Sequence, residues 1–161
     1  MKSDHRMKAS KLIALGVVLS SLTVVAHAQE RRSPGERAVE YRQSLYQVLA
    51  GNFGPAEAMA SGKAPFDATK AQKYSERAAY VAKMLDDAFP AMSNGVGDTY
   101  AKPEIWTDTA EFQKLLKALI DNTQSFADAV KGGDKALIKT AAERTGESCK
   151  NCHDKFKRKR S

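Results

Sequence analysis

Residues 134–156 read DKALIKTAAERTGESCKNCHDKF. Asp134 follows Gly132-Gly133 and supplies a helix cap. Ile138, Ala142, Thr145, Cys149, Cys152, His153 and Phe156 then recur at helical spacing, so the spacing predicts a last helix with one inward stripe. That stripe contains Cys149-Lys150-Asn151-Cys152-His153, a C-x-x-C-H sequence and the attachment signature of a c-type haem. Two thiols add across the two vinyl groups of the porphyrin, and the adjacent imidazole reaches the iron. At about 100° per residue, Cys149, Cys152 and His153 fall within an arc of roughly 100° and face one flat ring. A ring held on the buried face of a helix has to be enclosed by other elements, so this stretch decides the fold.

Three other readings of the two cysteines compete with this one. A thioredoxin-like pair requires a preceding strand and a βαβ setting, which the sequence does not offer. A structural zinc site wants four ligands, and only three adjacent candidates exist. A disulfide between Cys149 and Cys152 is the serious competitor in an exported chain, and the histidine directly after Cys152 favours haem over it.

The chain has 161 residues, of which 42% are hydrophobic and 28% charged, ordinary for one soluble domain. Its first stretch stands apart. Lys2, Arg6, Lys8 and Lys11 form a positive region, Leu12 to Val25 an apolar run, and Ala26-His27-Ala28 an A-x-A site. Residues 1–28 therefore read as a cleaved secretory signal peptide, with 29–161 as the mature domain. The apolar run of about 14 residues falls short of the ~20 that a membrane span needs, so no integral membrane protein is expected. Removing Lys2, Arg6, Lys8, Lys11 and Asp4 lowers the formal charge from +7 to +4. No nucleic-acid motif accompanies that balance. His5 and His27 leave as well, so His153 becomes the single imidazole available to an iron. Covalent haem agrees with an exported, oxidising compartment, here the periplasm.

Three helices are expected before the last one. Ser33-Pro34-Gly35-Glu36 reads as a cap, first helical residue and capping-box partner. The first helix runs to about Ala50, stops near Gly51, Asn52 and Gly54, and carries Val39, Arg42, Tyr46, Leu49 and Phe53 on one stripe. A loop over 54–66 follows, containing Met59. Asp67 caps a second helix that runs to about Phe89. A long connection over 90–106 leads to a third helix starting near Thr107 or Asp108, where Asp108 and Glu111 would form a capping box. No segment alternates with period two. The expectation is all-α: an antiparallel up-down-up-down four-helix bundle with covalent haem in its core.

His153 supplies one axial iron ligand, and what lies opposite decides the function. Met59, Met84 and Met92 are the methionines after residue 28, and none is expected on the first helix. That helix offers Tyr46, expected to gate the distal face by bulk, with a core tyrosine as the alternative. Arg42 lies one turn earlier on the same apolar stripe, where a cation needs an anionic partner. A haem propionate fits, since a guanidinium forks onto a carboxylate; a surface arginine is the alternative. Gln43 is placed to join the same hydrogen bonding.

The chain resembles the cytochrome c′ family. The supporting segments are Tyr41-Arg42-Gln43, Gly62-Lys63-Ala64-Pro65-Phe66-Asp67, Pro103-Glu104-Ile105-Trp106, and Cys149 to Phe156 near the C-terminus. The resemblance implies one haem c anchored by Cys149 and Cys152, with His153 as axial ligand of a five-coordinate, high-spin iron. It implies Arg42 and Gln43 near the propionates, and a loop from about Gly97 to Trp106 over the haem edge with Asp98 and Thr99 as contacts. It also implies binding of nitric oxide, and often carbon monoxide, by a periplasmic homodimer built on the first two helices. Two positions depart from the common pattern: Tyr46 stands where Leu or Phe is frequent, and Lys157, on the proximal side, where Arg is frequent. Nitric oxide sequestration is the leading function. A periplasmic electron carrier with a redox partner protein is the alternative, and an enzyme is disfavoured because a peroxidase wants a second histidine. The cations of Lys155, Lys157, Arg158, Lys159 and Arg160 suit a helix C-terminus, or else dock an acidic partner or an anionic lipid.

Overall fold

The computed structural model describes residues 32–159. The signal peptide expected over 1–28 therefore lies outside the described residues. Five α-helices form the described part: α1 Pro34–Ala60, α2 Ala68–Met84, the short α3 Glu104–Thr107, α4 Thr109–Gly132 and α5 Lys135–Phe156. α1, α2, α4 and α5 make the antiparallel four-helix bundle, and α3 is the turn that leads into α4.

Three boundaries differ from the expectation. α1 does not stop near Ala50; it continues through Gly51, Gly54 and Pro55 for 27 residues, and Met59 is helical. A proline inside a helix removes one backbone donor. Burial outweighs that loss, because Ala56 and Met59 are 1% and 8% exposed and Phe53 meets the Phe126 ring edge-on at 5.8 Å. The helix ends instead at Gly62, whose φ of 79° belongs to the left-handed region that glycine adopts without strain. α2 ends at Met84, before the expected Phe89. Asp86 and Asp87 would place two negative charges at the negative end of the helix dipole. The chain leaves through tight i→i−3 bonds, Leu85 N to Ala82 O at 3.2 Å and Ala88 N to Leu85 O at 3.1 Å. At α4, Asp108 makes no side-chain cap bond. Its carboxylate pairs with Lys155 at 3.2 Å, and Glu111 lies 3.7 Å from the same ammonium, so both expected capping-box partners are turned toward α5.

The caps expected at Asp67 and Asp134 form. The Asp67 side chain accepts from Lys70 N at 3.0 Å. That of Asp134 accepts from Ala136 N at 2.8 Å and Leu137 N at 3.1 Å. The core divides along the bundle axis. One cluster, with Ala56, Met59, Phe126, Val130, Ile138 and Ala142, fills one part. The other, with Leu45, Leu49, Leu85, Phe112, Leu116 and Phe156, fills the part against which Tyr46, Phe89, Trp106, Cys149 and Cys152 pack. Among the described residues no helix is long and apolar enough to cross a membrane.

Candidate haem site

The final three turns of α5 bring the motif to the second core cluster. Cys149 and Cys152 are half-buried and free, while His153, the next position round the helix, is largely exposed. Burial pushes both thiols up, Cys152 to about 11, with the nearby Cys149 adding to its shift. Thiols held protonated in this way are poor catalytic nucleophiles, which speaks against a thiol oxidoreductase. The His153 imidazole lies below its ordinary value, chiefly because its ring is partly covered and then because of the Lys157 ammonium, with Asp154 opposing. The neutral ring therefore keeps a nitrogen lone pair at neutral pH.

Tyr46 is half-buried on α1, and its ring meets Phe89 edge-on at 6.4 Å. Its hydroxyl titrates far above the usual phenol value, first through burial, then through the charges of Cys152 and Cys149, with Arg42 opposing. Tyr46, Cys149 and Cys152 pack against the same core cluster.

Arg42 organises the rim. It is only 2% exposed. Its guanidinium donates to Ser93 Oγ at 2.7 Å and Thr99 Oγ1 at 3.2 Å. It lies over the rings of Phe89 and Trp106, 5.3 and 5.6 Å from their centroids. Burial lowers its pKa, yet a guanidinium stays charged in proteins. Among the described residues it forms no ion pair. A buried cation whose partners are two hydroxyls and two aromatic faces is one anion short of neutrality. Gln43, exposed, donates to Asp98 O at 2.7 Å, so Asp98 takes part through its backbone while its side chain faces outward. Thr99 is buried and also accepts from Ala101 N at 3.2 Å. Lys157, exposed at the end of α5, donates its N–H to His153 O at 3.1 Å.

The structure thus joins Tyr46, Cys149 and Cys152 in one apolar corner, and Arg42, Gln43, Asp98 and Thr99 in an adjoining polar rim. Ser93, Phe89 and Arg158 join the site without being marked by the sequence as site residues. Ser93 carries no local signal, since it meets Arg42 from 51 positions away. Of the methionines, Met59 lies on α1 after all, but in the other core cluster, and Met92 is 60% exposed.

Two thiols and an imidazole on adjacent positions of one helix, an apolar wall opposite them and a buried guanidinium lacking an anion fit haem c. The Cytochrome C' family model matches residues 37–157. The chain belongs to the cytochrome c′ family. The cytochrome c' of Rubrivivax gelatinosus is 43% identical over 129 residues, covering 80% of this chain and 98% of that one. The solved cytochrome c prime from Shewanella frigidimarina is 39% identical with a TM-score of 0.75, covering 80% and 100%. A ferrous variant of the Alcaligenes xylosoxidans protein with bound NO is 33% identical with a TM-score of 0.73, covering 81% and 100%. The cofactor of the cytochrome c′ family is covalently attached haem c, and in this chain the C-x-x-C-H cysteines are the residues that match that chemistry.

Proposed function

We propose that the chain is exported to the periplasm and there binds small diatomic gases, chiefly nitric oxide, in a sequestering or protective role. Residues 1–28 act as the cleaved signal and 29–161 as the mature domain. Cys149 and Cys152 anchor the haem, and His153 is its axial ligand. Arg42 and Gln43 serve the propionate edge, with Asp98 and Thr99 along the rim. Tyr46 gates the distal side, and Lys157 stands on the proximal side. When bound, the haem supplies an iron with one open coordination position. The nitric oxide and carbon monoxide complexes of the Alcaligenes xylosoxidans protein support gas binding.

The observation that carries this reading is Tyr46. α1 brings to the core cluster of the cysteines a half-buried phenol whose proton is held far more tightly than usual. A neutral phenol is a poor iron ligand, whereas a thioether at that position would close the site and make a low-spin carrier. His153, the single histidine after residue 28, is committed to the axial role. No second imidazole is therefore available for acid–base catalysis, which supports a binder rather than an enzyme.

A homodimer on α1 and α2 is part of the proposal. Tyr41, Val48 and Tyr80 are 46%, 49% and 70% exposed on these two helices. Val48 and Tyr80 line a groove of about 850 Å³ between them, away from the haem motif.

Titration of the ferrous protein with nitric oxide and carbon monoxide, beside a growth test of cells lacking the gene under nitric oxide, checks the function. Both gases should bind and the cells should become more sensitive. A protein that ignores both gases would overturn it.

A further inference from the structure

The end of the haem helix is held by the loop that also holds Arg42. A helix leaves its last carbonyls without partners of its own, and such ends fray. In α5, two of the three carbonyls after His153, those of Lys155 and Phe156, are taken by one residue of the loop. Lys102 N donates to Phe156 O at 3.0 Å, and Lys102 Nζ donates to Lys155 O at 2.9 Å. Arg158 N returns a bond to Tyr100 O at 2.8 Å, its guanidinium donates to Thr99 O, and Ala101 and Lys157 form an antiparallel bridge. Pro103 follows Lys102 and biases it toward the extended backbone that this pairing needs. On its other side the same strap meets α1, because Thr99 Oγ1 accepts from Arg42. Phe156, inside the clamped turn, is buried against Phe112 at 5.4 Å.

The geometry points to a clamp: residues 99–102, with Arg158, stiffen the turn that carries His153 and tie it to the Arg42 rim. Thr99, Lys102 and Arg158 are positioning residues that act on the imidazole through the backbone of α5. This rests on His153 being the axial ligand. The clamp keeps the ring from drifting off the iron, so loosening it weakens the pull of the imidazole.

The test compares the ferrous holoprotein with Lys102→Met, Arg158→Gln and the double variant, and with Arg158→Lys, which restores the charge. Covalent attachment keeps the haem in place in all of them. Hydrogen exchange of the amides over 153–158 reads the clamp by itself, and the iron–histidine stretching band reads its effect on the ligand. Each single variant should exchange about tenfold faster over that segment, the effect expected from losing one charge-assisted hydrogen bond, and the double variant faster still. Its band should fall to lower frequency, and Arg158→Lys should recover part of both effects. Unchanged exchange would overturn the clamp. Faster exchange with an unmoved band would overturn its positioning role. Absence of any iron–histidine band in the wild type would overturn the axial reading itself, and the proposal with it.

Discussion

Arg42 and Tyr46 sit one helical turn apart and test opposite chemistries. Arg42 bridges Ser93 and Thr99 from a buried position, a geometry that needs a planar fork. Arg42→Met should destabilise the holoprotein by about 3 kcal/mol, the cost typical of removing one partner of a buried charge network. Arg42→Lys should cost nearly as much, since one ammonium cannot serve both hydroxyls and an anion together. Denaturant unfolding followed by the haem absorbance checks both, and full recovery in the lysine variant would contradict the fork. Tyr46 gives a pH dependence with a definite sign. Its folded-state pKa is raised above the ~10 of an unfolded tyrosine. Its contribution is therefore whole below about pH 10, and declines as the pH rises from there toward the folded value. Tyr46→Phe should lose less stability than the wild type above about pH 10. Tyr46→Ala should instead open the gate and speed carbon monoxide binding in stopped flow. Equal alkaline sensitivity, or an unchanged binding rate, would remove the corresponding role.

At the scale of elements, the connection between α2 and α4 is the part built most tightly on its neighbours. Gly35 lies under the turn Ala91–Ser93, and a Cβ there would stand 2.3 Å from Met92 O. Gly35→Ala should displace the turn that presents Ser93 to Arg42, lowering the melting temperature by several degrees at a cost of about 1–3 kcal/mol. An unshifted melt would show that the turn accommodates the methyl freely. What the sequence made legible was what local rules govern. Of the residues at helical spacing on α4, Phe112, Leu116, Leu119, Thr123, Phe126 and Val130 are buried and Leu115 and Ile120 half-buried, and Asp67 and Asp134 cap as their positions suggest. What remained hidden depended on partners remote in sequence. The α1 extension past Pro55 is maintained by Phe126 and its neighbours, Asp108 is diverted by Lys155, and Lys102 finds its partners 53 and 54 residues away. The C-x-x-C-H motif was readable because covalent attachment fixes its spacing. Arg42 was readable because a cation on an apolar stripe is conspicuous, whereas Ser93, an ordinary loop serine, was not.

At the scale of the molecule, the bundle separates two tasks. The part away from the motif is a plain apolar core, and the part around Cys149 and Cys152 carries the polar rim, Tyr46 and the strap. The exposed outer faces of α1 and α2 lie apart from both, which suits the proposed dimer. Tyr80→Glu should shift sedimentation toward a monomer while leaving the haem spectrum unaltered, and an unchanged sedimentation coefficient would move the interface elsewhere. The proposed function stands on an iron held by His153 on one side and by no protein atom on the other. Electron paramagnetic resonance of the purified ferric protein tests it most directly. A covalently bound haem should give a high-spin signal, whereas a dominant low-spin signal would mean a second protein ligand and would rule the open iron out.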